Sequence, residues 1–139
     1  MLGIDRRVES NADEIFRIRS MKELAEAGIY PSFVVTGNLP LVLRESLLPR
    51  AFELGERVVE TSLELFGGMI GAFSLETIVT DELEFKIFEI SARIVAGTNL
   101  YMDGSPYSDL IQPGLSNGRR IAQEINLARE THRLDEIIT

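Results

Sequence analysis

Two stretches of this chain, residues 73–79 and 84–91, have the composition of β-strands and constrain the fold more than any other feature. Each stretch places one glutamate, Glu76 or Glu89, among apolar neighbours. The stretches lie close enough in sequence to pair as an antiparallel hairpin. The relative position of the two glutamates then depends on the register of that hairpin, because side chains alternate between the two faces of a strand.

A register that pairs Thr80 with Phe85 and Ile78 with Ile87 brings the two glutamates directly opposite each other on one face. Opposed residues have Cβ atoms roughly 5 Å apart. Two like charges at that distance destabilise a sheet unless a proton, a basic group or a cation lies between them. The hairpin therefore suggests a hard divalent metal ion held by oxygen ligands. Two alternatives stay open: the register differs, or each glutamate pairs with a surface Lys or Arg.

Composition excludes several classes of function. The chain has 139 residues, 45% of them hydrophobic, which predicts one domain with a real core. It has no cysteine and one histidine, His132, which argues against thiolate nucleophiles, sulfur or histidine metal sites and a Ser-His-Asp triad. A net charge of −8 argues against non-specific nucleic-acid binding. Without a long apolar run or a signal pattern, the sequence predicts a cytoplasmic protein that does not enter the membrane.

The remaining elements predict an α+β fold. Three helices are expected over residues 21–27, 47–66 and 119–131, with Ser20, Ser46 and Ser116 as their N-caps. Residues 33–38 form a buried apolar strand that ends in a Gly37-Asn38 turn. We expect a mainly antiparallel sheet from the segments that begin at residues 2, 33, 73 and 84, with the two longer helices packed on one face.

The sequence around the second glutamate resembles a known metal-binding strand. The motif FEISAR at 88–93 resembles the strand of the ATP-grasp ligases in which a Glu, and often an Asn two residues later, bind magnesium while a nearby Arg reaches a phosphate. Ser91 stands here at the position of that Asn. The motif GAFSLE at 71–76 resembles the neighbouring strand of the same fold, which carries the first magnesium glutamate.

A closer resemblance extends over nearly the whole chain. The archaeal formate–phosphoribosylaminoimidazolecarboxamide ligases share, in this order, GIDRR at 3–7, ESN at 9–11, GN at 37–38, RESLLP at 44–49, EISARIVAGTNLY at 89–101, GSPYS at 104–108 and GRRIA at 118–122. The resemblance implies that residues 1–139 are a single domain, the carboxy-terminal subdomain of an ATP-grasp ligase. The amino-terminal domain and the adenine-binding half of that ligase have no counterpart in this sequence.

The resemblance also implies roles for individual residues. Glu76 and Glu89 would hold Mg²⁺ or Mn²⁺, and Arg93 would meet the transferred phosphate. A second set would bind the substrate, and a third would bind ATP through its phosphates and ribose. The substrate set is Asn38, Arg44, Gly97, Thr98 and Asn99, and the ATP set is Arg6 and Glu9.

Two hypotheses about function follow from these implied roles. In the first, the chain is part of a ligase that joins formate to aminoimidazole carboxamide ribonucleotide with cleavage of ATP to ADP and phosphate. Its partners would then be ATP, formate and the ribonucleotide, and the resemblance implies a homo-oligomer. In the second, the chain is a truncated homologue that does not catalyse and acts as an oligomerisation or nucleotide-sensing module.

Overall fold

A computed structural model of the chain describes residues 1–9, 20–30, 32, 34–95 and 102–137. These residues belong to two compact units, a smaller one over Asp5–Leu41 and a larger one formed by Met1–Ile4 and Val42–Thr139. The predicted α+β class with antiparallel strands is confirmed. The prediction of one sheet is wrong for the described strands, because they pair only within two separate two-stranded sheets. The single domain over residues 1–139 stays a prediction.

The smaller unit contains strand β1 (Asp5–Glu9), helix α1 (Met21–Glu26) and strand β2 (Val35–Pro40). The two strands are antiparallel. Helix α1 begins as predicted at Ser20, whose hydroxyl accepts a hydrogen bond from the backbone N–H of Glu23. The Glu23 carboxylate in turn accepts a bond from the backbone N–H of Ser20, which closes a capping box.

Strand β2 differs from its prediction in two respects. Its side chains are mostly exposed, whereas the sequence predicted a buried strand. Gly37 and Asn38 lie inside β2, paired with Val8 and Arg7 of β1, whereas the sequence predicted a turn at this position. The strand continues through both residues because β1 supplies backbone partners for them.

The larger unit contains helix α2 (Leu48–Phe66), strands β3 (Ser74–Val79) and β4 (Phe85–Ser91), and helix α3 (Asn117–Glu130). Strands β3 and β4 form the predicted antiparallel hairpin. The backbone N–H of Leu83 donates to the carbonyl of Thr80 at 2.9 Å, which closes the turn between the strands. Among the described residues, no helix is both long and apolar enough to cross a membrane.

Helix α2 begins differently from its prediction. A 3-10 turn over Glu45–Leu47 precedes it, so Leu47 is the N-cap residue and Ser46 is not, and no side chain caps the helix. The buried side chain of Leu47 anchors this entry through apolar packing instead. The helix ends as predicted at Gly67, which adopts the left-handed conformation with a φ of 82°.

The sequence of α2 carries a broad apolar stripe, which is only partly covered. Ala51, Leu54 and Val58 are half-buried, whereas Leu63 and Phe66 are exposed. The side of the helix that includes Leu54 and Val58 therefore contributes most to the described core.

A buried turn around Ser105 organises the second half of the larger unit. The Ser105 hydroxyl accepts hydrogen bonds from the backbone N–H groups of Tyr107 and Ser108 and donates to the carbonyl of Leu2. The Tyr107 hydroxyl accepts a bond of 2.7 Å from the backbone N–H of Leu43. These bonds connect three segments that are distant in sequence.

Helix α3 follows this turn and begins as predicted at Ser116, whose hydroxyl accepts a hydrogen bond from the backbone N–H of Arg119. Among the described residues of the larger unit, the buried apolar ones are Leu47, Tyr107, Leu115 and Ala128. The described core therefore lies around the Ser105 turn and the start of α2.

Candidate functional site

The hairpin places Glu76 of β3 directly opposite Glu89 of β4, as predicted. The register nearer the turn differs from the prediction by one residue, because Ile78 pairs with Lys86 and the backbone N–H of Thr80 donates to the carbonyl of Glu84. A β-bulge lies between Thr77 and Glu76 of β3, where β4 contributes one extra residue. The bulge shifts the pairing by one position, so the predicted register holds at the two glutamates.

The bulge determines which face the glutamates share. Phe88 is the extra residue, since Glu76 pairs with Glu89 whereas the next residue of β3, Thr77, pairs with Ile87. If the hairpin had no bulge, the register near the turn would continue along both strands. Glu76 would then pair with Phe88, and Glu89 would point to the other face of the hairpin. The opposed pair of carboxylates therefore depends on a non-local feature of the hairpin.

The two carboxylates differ in their exposure. The side chain of Glu76 is half-buried, and its Oε2 atom has an accessible area below 1 Å². Glu89 is exposed. Directly opposed residues have Cβ atoms roughly 5 Å apart, and Glu76 and Glu89 are such a pair. The hairpin thus combines one carboxylate packed against protein with one that reaches solvent.

Ser91, the last residue of β4, contacts the exposed carboxylate. Its hydroxyl donates a hydrogen bond of 3.1 Å to Oε1 of Glu89. Ser91 itself is only 8% exposed and pairs with Ser74 across the ladder. The sequence singled out Ser91 only as a replacement for an Asn, although its position two residues after Glu89 already places both side chains on one face.

These residues fit Mg²⁺ or Mn²⁺. Carboxylate oxygens are hard ligands, which both cations prefer. In the described ranges, no group of three or more His, Asp or Glu side chains lies close enough together to hold a metal ion. Within the described ranges, the two carboxylates are the protein ligands that the hairpin offers, and water or phosphate oxygens would complete an octahedral shell.

Arg93 follows the hairpin two residues after the end of β4. It is exposed, and its Nη1 atom donates a hydrogen bond of 3.0 Å to the carbonyl of Ile94. This contact uses one of the five N–H donors of the guanidinium. The role expected for Arg93, contact with a transferred phosphate, stays a prediction.

The residues predicted to bind substrate lie in different parts of the structure. Asn38 belongs to the smaller unit, where its Nδ2 atom donates to Oδ2 of Asp5 at 3.3 Å. Arg44 belongs to the larger unit, is exposed and directly precedes the 3-10 turn before α2. The remaining three residues, Gly97, Thr98 and Asn99, lie outside the described residues.

The two residues predicted to bind ATP both lie on β1. Arg6 and Glu9 are three positions apart on this strand, so their side chains alternate to opposite faces. The structure therefore does not bring them together on one face of β1. Both belong to the smaller unit, whereas the carboxylate pair belongs to the larger one.

A charged groove that the sequence analysis missed lies at the turn end of the hairpin, between that turn and α2. Arg50 of α2 donates a hydrogen bond of 2.8 Å to the carbonyl of Leu83, and Arg57 also lines the groove. Lys86 lies 2.7 Å from the carboxylate of Glu84, and this hydrogen bond holds the pKa of Glu84 below its ordinary value. Because both cations and carboxylates line it, the groove has no single sign of charge.

Known proteins similar to this chain support the resemblance seen in its motifs. A relative from Methanothrix thermoacetophila is 80% identical over 139 residues, which are 100% of this chain and 39% of the relative. A relative from Pyrococcus horikoshii is 53% identical over 140 residues, which are 100% of this chain and 42% of the relative. Both are named 5-formaminoimidazole-4-carboxamide-1-(beta)-D-ribofuranosyl 5'-monophosphate synthetase.

A solved structure has the same fold. It is described as an IMP biosynthesis protein PurP from Thermococcus kodakaraensis, and it matches with a TM-score of 0.77 and 38% identity over 100% of this chain and 43% of its own. The chain spans about two fifths of the length of the curated relatives it matches. A family model described as "Domain of unknown function (DUF1297)" matches residues 1–139. Because that match covers its whole length, the chain belongs to the DUF1297 family.

Proposed function

We propose that this chain is the Mg²⁺-, ATP- and substrate-binding part of a purine-biosynthetic ligase. The ligase would join formate to aminoimidazole carboxamide ribonucleotide and cleave ATP to ADP and phosphate. The observation that carries the proposal is the opposed pair Glu76 and Glu89 on a hairpin that continues into the motif EISARIVAGTNLY. The names of the relatives support the proposal, because they specify the synthesis of the formylated ribonucleotide.

The proposed chemistry has two steps. A carboxylate oxygen of formate attacks the γ-phosphorus of ATP, the bond to the bridging oxygen breaks, and ADP leaves. The amine of the ribonucleotide then attacks the carbonyl carbon of formyl phosphate, loses a proton and releases phosphate. Neither step needs a side-chain nucleophile, which agrees with a chain that has no cysteine.

Catalysis in such a reaction consists mainly of positioning and electrostatic stabilisation. A bound Mg²⁺ supplies positive charge next to the phosphate oxygens. Glu76 and Glu89 hold that ion, and Ser91 holds Oε1 of Glu89 through the bond of 3.1 Å. Arg93, exposed beyond the end of β4, adds a second positive charge for the transferred phosphoryl group.

The substrate roles follow from the chemistry of the side chains. The planar amide of Asn38 has a donor and an acceptor that match a carboxamide. Arg44 provides a cation for an anionic group of the substrate. Gly97, Thr98 and Asn99 combine small side chains with polar groups and would line the same ligand. Arg6 and Glu9 would contact the phosphates and ribose of ATP.

The test uses a complete ligase, in which this chain is joined to the remaining three fifths of the Methanothrix relative. Glu89→Gln should lower turnover by a factor of 10² or more, on the order expected for losing a main electrostatic contact. Asn38→Ala should mainly raise the KM for the ribonucleotide. Glu60→Gln, on the exposed surface of α2, is the matched control and should have no effect.

Steady-state kinetics separate the outcomes. Near-normal turnover of Glu89→Gln, with Glu60→Gln also normal, contradicts the metal role. An unchanged KM for the ribonucleotide in Asn38→Ala contradicts the substrate role. A complete chain that binds Mn²⁺ but shows no turnover would favour the non-catalytic module instead.

A further inference from the structure

We propose that Ser91 is a positioning residue, which holds the carboxylate of Glu89 through Oε1 so that Oε2 is presented to the cation. In this arrangement Ser91 does not itself bind the metal ion. The inference rests on the metal site of the proposed function. It goes further because it assigns a specific task to a residue type that departs from the Asn common in the resembling strand.

The local geometry supports a donor role for Ser91. Ser91 and Glu89 are two positions apart on β4, so their side chains lie on the same face of the hairpin. The Ser91 hydroxyl has one hydrogen, and it is directed at Oε1 of Glu89 over 3.1 Å. Because Ser91 is only 8% exposed, little solvent competes for that hydrogen. The bond therefore occupies one lone pair of Oε1 and leaves Oε2 of Glu89 as the less encumbered oxygen for a cation.

The exposure of the Glu89 side chain explains what it gains from such a partner. Glu76 is half-buried with its Oε2 atom against protein, so its surroundings already restrict its rotamers. Glu89 is exposed, and a free glutamate side chain loses up to about 2 kcal/mol of conformational entropy when it is fixed. A hydrogen bond from the rigid end of β4 reduces the number of rotamers before the cation binds.

Serine also has a shorter reach than the residue it replaces. Its oxygen is one bond from Cβ, whereas the amide oxygen of Asn is two bonds from Cβ. A neutral hydroxyl close to the sheet surface is thus well placed to contact the neighbouring carboxylate and poorly placed to extend past it. The shorter reach of serine therefore favours a positioning role for Ser91 over direct coordination of the cation.

Ser74 provides a matched control within the same hairpin. It pairs directly with Ser91 across the ladder and therefore lies on the same face. Its side chain is half-buried, and its hydroxyl makes no hydrogen bond within the part of the chain that the structure describes. Ser74→Ala removes the same chemical group as Ser91→Ala but not the contact with Glu89.

The experiment measures Mn²⁺ binding to this chain by electron paramagnetic resonance and by water-proton relaxation, which also reports the number of bound waters. Ser91→Ala should weaken binding about tenfold, the lower end of the loss expected when a partner of a metal ligand is removed. The number of waters on the ion should stay unchanged. Ser91→Thr keeps the hydroxyl and should bind normally, and Ser74→Ala should match the unmodified chain.

Three results would overturn the inference. They are an unchanged affinity in Ser91→Ala, an equal loss in Ser74→Ala, and one additional bound water in Ser91→Ala, which identifies Ser91 as a ligand. If Ser91→Ala does not fold, Ser91→Cys takes its place under the same criteria, since it keeps the shape with a weak donor. Failure of the proposed metal site gives a different result, namely equal Mn²⁺ affinity in the unmodified chain and in Glu76→Gln/Glu89→Gln.

Discussion

Removing the hydroxyl of Tyr107 should loosen the larger unit at one identifiable bond. The Tyr107 hydroxyl accepts a hydrogen bond of 2.7 Å from the backbone N–H of Leu43, and the residue is only 7% exposed. Tyr107→Phe keeps the packed ring but leaves the N–H of Leu43 without this acceptor. The perturbation therefore isolates the hydrogen bond from the apolar contacts of the ring.

The expected magnitude follows from the exposure of both partners. A buried donor left without a partner costs about 1–3 kcal/mol. Leu43 is half-buried, so water can replace the lost acceptor in part, and we expect a loss of about 1–2 kcal/mol. Because about 1.4 kcal/mol corresponds to a factor of ten, amide exchange at Leu43 should accelerate by about 5- to 30-fold if that bond limits opening.

Hydrogen exchange followed by NMR measures this effect at Leu43 itself, and urea denaturation measures the loss for the whole unit. Tyr30→Phe is the control, because Tyr30 is 72% exposed and should change stability by less than about 0.5 kcal/mol. The reasoning is refuted if exchange at Leu43 and the urea midpoint of Tyr107→Phe both match those of Tyr30→Phe.

Three further predictions test other parts of the molecule. Gly104→Ala should destabilise the larger unit by about 2 kcal/mol or more in urea denaturation, because φ is 104° and an added Cβ would lie 2.6 Å from Oδ1 of Asp109. Gly55→Ala should instead raise the free energy of unfolding by roughly 0.5–1 kcal/mol, because Gly55 is helical and nothing lies within 4 Å of an added Cβ; an unchanged urea midpoint would argue against an unstrained helix there. Because the hydrogen bond from Lys86 lowers the pKa of Glu84, the contribution of this pair to stability is present above the ordinary value of 4.5 and is lost as the pH falls through the lowered pKa. Glu84→Gln should therefore show a shallower fall of the urea midpoint between neutral pH and pH 3, and an identical fall would contradict the assignment.

Features governed by contacts between near neighbours could be predicted from the sequence. The caps at Ser20 and Ser116 were predicted because a cap depends on a backbone N–H only three residues away. The end of α2 at Gly67 was predicted because the left-handed conformation favours glycine. The motifs around Glu89 likewise indicated the family, because they are contiguous in sequence.

Features that depend on distant segments were decided by the tertiary structure. The sequence predicted the opposed glutamates from a strand register that is wrong near the turn. The glutamates are nevertheless opposed, because the extra residue Phe88 forms a bulge that shifts the pairing by one position. Gly37 and Asn38 resemble a turn locally, yet they lie in β2 because β1 supplies a partner strand.

The contacts that shape the candidate site have the same origin. The position of Ser91 relative to Glu89 was evident from its spacing, but the direction of its hydroxyl depends on the burial of the strand end. The bond from Leu43 to Tyr107 joins segments far apart in sequence, and no local pattern specifies it. Local composition determines caps, strands and helices over a few residues, whereas bulges, strand partners and side-chain hydrogen bonds are selected by the packing that brings distant segments together.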